Sequence, residues 1–150
     1  MSGTVLTVGF EDSAVRRHLA MLALRDARKY DGARREIGEY LVGEIQDNFH
    51  DQRLADGTPM PPSAAAAARR GGKGKTLIDK GHLRDSYVYQ LTREGLEVGS
   101  AKIYAAIHHF GGTTGRGHKT HIIPRPVMDI GDEQQREIGD ILLDAIRGTR

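Results

Sequence analysis

Apolar side chains return at every fourth position through residues 33–49, at Ile37, Leu41, Ile45 and Phe49, with Tyr40 and Asn48 beside them. That spacing draws one narrow stripe on a helix of about four or five turns. Its other face is charged, so the helix should lie on something rather than form a buried central rod. Ile138, Ile141, Leu142, Ala145 and Ile146 repeat the pattern and predict a helix over 132–147, with Asp132 and Gln135 as its N-cap pair. Nearer the start, Glu11, Asp12 and Ser13 supply acidic and capping groups for a helix through about Arg28, with Leu19, Leu22 and Ala23 at helical spacing. The Asp31-Gly32 step then breaks the chain.

Elsewhere the period is two. "TVLTVGF" (4–10) reads as a short strand. Tyr87, Tyr89 and Leu91 alternate with Val88, Gln90 and Thr92, and Leu96 and Val98 start a return strand. Between them Arg93, Glu94 and Gly95 make a short loop, with the glycine at the position that favours positive φ. "IYAAIHHF" (103–110) fits helix or strand. Ile103, Ala106 and Ile107 at i, i+3 and i+4 point to a short helix that Gly111 would end. A glycine- and histidine-bearing loop (111–119), an extended "THIIP" and the turn "PRP" lead to the last helix.

Residues 56–76, "DGTPMPPSAAAAARRGGKGKT", have neither period. Prolines, an alanine run and a glycine-lysine tract leave little to bury, so the segment reads as a mobile arm in which the alanines form at most a turn or two of helix. The fold class is therefore α+β, a single domain over 1–150. It has two N-terminal helices, a small mostly antiparallel sheet, a long flexible excursion and a C-terminal helix. Deleting 62–75 should on this reading leave the melting temperature nearly unchanged.

Composition narrows the partners. Lys+Arg 22 against Asp+Glu 20 gives a net charge of +2, a poor profile for a dedicated nucleic-acid binder. With no cysteine, disulfides, thiolate metal sites and cysteine nucleophiles are excluded. No apolar run approaches a membrane span, and "MSGTVLTVGFED" lacks the basic start and apolar core of an export signal. A soluble, non-exported protein is expected.

Candidate chemistry is thin. "GKGKT" (72–76) has Arg69 where a phosphate-binding loop needs glycine, and alanines where a strand should lead in. His118 and His121 lie three apart, and His108 and His109 could approach them. Adjacent histidines on a helix nevertheless point about 100° apart and do not readily share one metal. Neither Ser86 nor Ser100 sits in a GxSxG elbow. Asp79 and Asp85 flank a turn. We expect no catalysis, cofactor, metal or small-molecule substrate. Arg69, Arg70, Lys73 and Lys75 make the excursion basic, which leaves a small nucleic-acid-binding protein as the alternative reading.

Three ordered stretches carry a resemblance. They are "LIDKGHLRDSY" with Leu77, Ile78, Gly81, Leu83 and Ser86; "VGSAKIYAAIHHFGG" with Val98, Gly99, Tyr104, Ala105, His108, Phe110, Gly111 and Gly112; and "IIPRPVMDIG" with Ile123, Pro124, Arg125 and Pro126. Together with "NFHDQRLADGTPMPP" upstream, the chain resembles the phage virion morphogenesis family, the Mu G-like and P2 S-like tail completion proteins. It departs from that pattern at Met60, where tryptophan is common, at Pro124 directly before Arg125, and at Val127, where phenylalanine is usual.

The resemblance implies a non-catalytic virion component of the neck or tail end, present in the host cytoplasm during assembly. It implies a ring of identical subunits, a hexamer among the admissible sizes, in contact with other neck and tail proteins. DNA and membrane would play no direct part. His108 would then close a segment in which Tyr104 and Phe110 pack, His109 would be exposed, and Gly111 and Gly112 would let the chain turn back. The arm would offer Met60, Pro61, Pro62, Arg69, Arg70, Lys73 and Lys75 to a neighbour, with Arg125 also at the interface.

Overall fold

The computed structural model describes residues 4–7 and 30–148. The helix expected over 13–28 lies outside the described residues. Strand β1 spans Thr4–Thr7 and helix α1 spans Asp31–Asp51, six turns where four or five were expected. The predicted stripe, Ile37, Leu41, Ile45 and Phe49 with Asn48, is buried, joined by Ala33 and Gly38, while Tyr40 is only half-buried. α1 ends where Gln52 turns left-handed (φ 55°) and its backbone N–H caps the carbonyls of Asn48 and Phe49.

β2 (Tyr87–Leu91) and β3 (Leu96–Ser100) form the expected antiparallel hairpin, with Tyr87 opposite Ser100 and Leu91 opposite Leu96. β1 adds to the far side of β3, giving the order β1-β3-β2. Gly95 does not adopt positive φ. Its N–H donates to Thr92 Oγ1 (3.0 Å), and Thr92 N–H donates to the Gly95 carbonyl (2.9 Å), so a side chain closes the loop instead. Below the sheet, α1 packs on β2 and β3 and also on α4 (Asp132–Arg147). Phe49 and Ile138 are fully buried and Val98 is 1% exposed. Each such side chain contributes roughly 1.5–3 kcal/mol.

The fold is thus α+β, with one core between sheet, α1 and α4. The N-cap of α4 is Gly131, one residue earlier than expected. Glycine has no side chain to accept, so only half of a capping box forms, with Gln134 Oε1 accepting from Gly131 N–H at 3.1 Å. The remaining elements are α2 (Ala64–Ala68), α3 (Ala105–Phe110), and a two-stranded sheet of β4 (Gly112–Thr114) and β5 (Thr120–Ile122). α3 resolves the helix-or-strand ambiguity of 103–110. Gly111 ends it at φ 73°, and a side chain there would run into Pro124 and the Ile122 carbonyl.

Candidate assembly surface

Arg125 organises the surface that the three stretches share. Its side chain is buried, yet every hydrogen bond it makes among the described residues is to a backbone carbonyl. Nε donates to Pro61 (2.7 Å), Nη2 to Pro62 (2.9 Å) and Nη1 to Ile123 (3.3 Å). Its own N–H donates to the His108 carbonyl at 2.8 Å. The guanidinium has no carboxylate in pairing distance among the described residues, and burial lowers its pKa. A planar fork suits this task, because two adjacent carbonyls can be taken by one rigid group. Proline carbonyls in an irregular segment have no ladder partner of their own.

The excursion 56–76 is tied at both ends to the C-terminal end of α1. Asp56 opens it with a tight turn, its carboxylate accepting from Thr58 N–H (2.9 Å) and Oγ1 (2.6 Å). Met60 is 7% exposed and sits in the core cluster. Ser63 caps α2 by accepting from Ala66 N–H at 3.1 Å, and Ala66 is buried. Gln52 then holds the far end. Its Oε1 accepts from Thr76 N–H (2.6 Å), and its Nε2 donates to the Thr76 carbonyl (3.1 Å) and the Phe49 carbonyl (2.8 Å). One carboxamide therefore serves both polar groups of the Thr76 residue, as a neighbouring strand would.

The expectation that this segment has little to bury does not hold at Met60, Ala66 and Thr76. The composition-based reading missed that prolines and alanines can dock through backbone carbonyls and small contacts rather than through large apolar side chains. Two of the basic side chains are also engaged within the chain. Arg69 donates to the carbonyls of Lys75 (2.9 Å) and Ile78 (3.2 Å), and Lys75 Nζ donates to the His50 carbonyl (2.6 Å). Lys73 is exposed, and the Arg70 side chain lies outside the described ones.

Excursion and family-like stretches line one groove of about 730 Å³, with Pro62 and Arg69 from the first and Leu83, Tyr104, His108 and Arg125 from the second. Gly81 is buried at φ 82° and its carbonyl accepts from Asp85 N–H, which turns the chain so that Leu83 enters the core. Pro126 gives its carbonyl to Ala55 N–H at 2.9 Å, and Val127 is buried. Pro124 is exposed and packs close to Gly111.

Aromatic packing differs from expectation. Tyr104 is 43% and Phe110 69% exposed, with Ile103 at 71% and Ile123 at 40% nearby in the chain. α3 has only six residues, so it can bury one side, and Ala105 occupies that side. The residues that flank the short helix are left outside. His109, expected in solvent, is half-buried, with its ring edge-on to Phe110 at 4.6 Å. The Nδ1 atoms of His108 and His109 are both buried without a hydrogen-bond partner among the described residues. Burial lowers both pKa values, assisted at His108 by Arg125 and opposed at His109 by Asp129.

Other candidates have structural partners. Ser86 Oγ donates to the Leu83 carbonyl (2.6 Å) and meets Ser100 Oγ at 2.6 Å, while Lys102 N–H donates to Ser100 Oγ at 3.1 Å. Asp85 pairs with Arg84 at 2.6 Å, which lowers its pKa. Among the described residues no cluster of histidines and carboxylates has the makings of a metal site. Sequence reasoning missed Gln52 altogether. Asn48, a polar residue on an apolar stripe, was a visible signal: it donates to the Val127 carbonyl (3.1 Å) and accepts from Arg53 (2.8 Å).

The stretches that meet at this groove match a family model. The model of the phage virion morphogenesis family covers residues 10–147. The chain belongs to that family. It is also 35% identical over 66 residues to the Mu-like prophage FluMu G protein 2 of Haemophilus influenzae, an alignment covering 44% of this chain. The aligned part spans about half of that relative, 48% of its length. No solved structure matches. Membership in the family makes this a protein of phage virion morphogenesis, and it points to a structural, virion-associated role rather than catalysis.

Proposed function

We propose that the protein is a structural subunit of the phage head–tail junction or tail end, active in tail completion, which assembles with copies of itself into a closed ring. One observation carries this reading. Tyr104 and Ile123, which line the groove shared by the family-like stretches, and Ile103 and Phe110, at the two ends of the short helix α3, are all large and exposed. Monomeric proteins rarely leave such a set uncovered, and aromatic side chains in this setting are the usual anchors of protein interfaces. A ring brings two different patches together, head to tail, and closes when the rotation between subunits divides the circle.

A nucleic-acid-binding role has less support. Arg69 and Lys75 give their donors to backbone carbonyls, which leaves the excursion a poor comb for phosphates. Native mass spectrometry of the purified chain tests the proposal. A single closed oligomer, weakened by Phe110→Ser, is expected. A chain that stays monomeric with and without its virion partners, or one retained on DNA in a salt-dependent manner, would overturn it.

A further inference from the structure

The chain carries two unpaired surfaces of opposite charge. One is the β4–β5 hairpin. Among the described residues its strands pair only with each other, Gly112 opposite Ile122 and Thr114 opposite Thr120, so each has a free edge there. A two-stranded hairpin is marginal in water on its own pairing and gains from a partner along its free edges. Its tip holds Arg116, His118 and Lys119, all exposed, and none is in an ion pair among the described residues.

The other surface lies across α1 and α4. Glu44 of α1 and Glu133 and Glu137 of α4 all act on the Tyr40 phenol, raising its pKa beyond what its burial does. A groove of about 270 Å³ runs there between Glu44, Asp56, Asp132 and Glu133. Its one lining cation among the described residues, Arg53, is turned to the Asn48 carboxamide at 2.8 Å. Among the described residues Glu44 accepts only a neutral hydrogen bond, from Gln134 Nε2 at 3.2 Å. The acids repel one another without a counter-cation in pairing distance among the described residues. This groove shares no lining residue with the groove beside the hairpin.

We propose that the hairpin of one copy docks on the acidic α1–α4 face of the next, so that each subunit gives one hairpin and receives one. The inference rests on the ring reading and deepens it. Charge chooses the occupant, because both halves of the match are on the same chain and on separate surfaces. A two-fold contact through either surface would set like charge against like, whereas a head-to-tail contact neutralises both. The free β4 and β5 edges and the exposed Phe110 at the root of the hairpin add backbone and apolar contact beside the ion pairs.

Charge reversal tests this on the full chain by native mass spectrometry and sedimentation. R116E/K119E and E133K/E137K should each weaken self-association on the order of 100-fold while circular dichroism stays unchanged. Mixed one to one, the two variants should reassociate, because each now complements the other. E133Q/E137Q, milder for the helix start, should weaken association less and reduce its salt dependence. If the parent assembles and both reversals assemble like it, or the mixture fails to recover, this contact is wrong and the ring stands. A parent that is monomeric at every concentration overturns both readings.

Discussion

Arg125 is tied through Nε and Nη2 to the carbonyls of Pro61 and Pro62, 2.7 and 2.9 Å away, across more than sixty residues of sequence. The bond joins the turn before α4 to the excursion that follows α1, and it fixes one wall of the groove. Lysine offers a point charge on a flexible stem and cannot fork onto both carbonyls. Arg125→Lys should therefore cost about 2 kcal/mol, the range for a hydrogen bond to a charged group. Thermal unfolding would register it, and hydrogen exchange should show protection lost first at 60–66.

Gln52 and Thr76 give the second prediction. Gln52→Ala leaves the buried Thr76 N–H and carbonyl without partners, and each unsatisfied buried group costs roughly 1–3 kcal/mol. Deleting 62–75 with a glycine-serine bridge removes the Pro62 acceptor of Arg125, buried Ala66 and the Ser63 link to Thr76. The deletion should now lower the melting temperature by several degrees instead of leaving it nearly unchanged. Hydrogen exchange on the monomer decides the mobility of the arm: protection at Met60, Ala66 and Thr76 fits the docked arrangement, and none there restores the mobile arm.

Periodic elements were legible because burial repeats at a fixed spacing. The α1 stripe, the α4 stripe and the β2–β3 alternation each follow from where side chains point. Docking of 56–76 was not legible, because it runs on backbone carbonyls and on single side chains far away in sequence, Gln52 and Arg125. Those bonds leave no periodic trace. The family-like stretches marked Arg125, Gly81 and Leu83, yet they could not say that Tyr104 and Phe110 face outward. That depends on α3 being too short to bury more than one side.

His108 and His109 set a pH dependence. Burial lowers both pKa values below the ordinary 6.5, with Arg125 facing His108 and Asp129 facing His109. The unfolded chain therefore takes up protons near pH 6.5 that the fold takes up only at lower pH. Above that value these two rings are neutral in both states and add no pH dependence of their own. As pH falls through 6.5 toward the folded pKa values, stability is lost. The midpoint of urea unfolding should thus fall between pH 7.5 and 5.5. In His108→Gln/His109→Gln the fall should be shallower. An equal slope in the variant would place the titrating groups elsewhere.

Gly38 and Gly43 sit on the same helix and should respond in opposite ways to the same change. Glycine inside a helix costs roughly 0.5–1 kcal/mol relative to alanine, so Gly→Ala ordinarily stabilises. At Gly43 a Cβ would meet nothing within 4 Å, and Gly43→Ala should gain about that amount. At Gly38 the Cβ would lie under 3.0 Å from the Cγ, Cδ1 and Cδ2 atoms of Tyr89, since α1 crosses β2 there with ring against backbone. Two residues along β2, Tyr87 packs its ring against Phe49 of the same helix at 5.9 Å, which ties strand and helix together. Gly38→Ala should therefore destabilise by about 1–3 kcal/mol, the cost of overpacking a core. Combining it with Tyr89→Ala removes the obstacle, so the second substitution should hurt less in that background than alone. Purely additive losses in the urea cycle would show that Gly38 is kept for some reason other than the closeness of that ring.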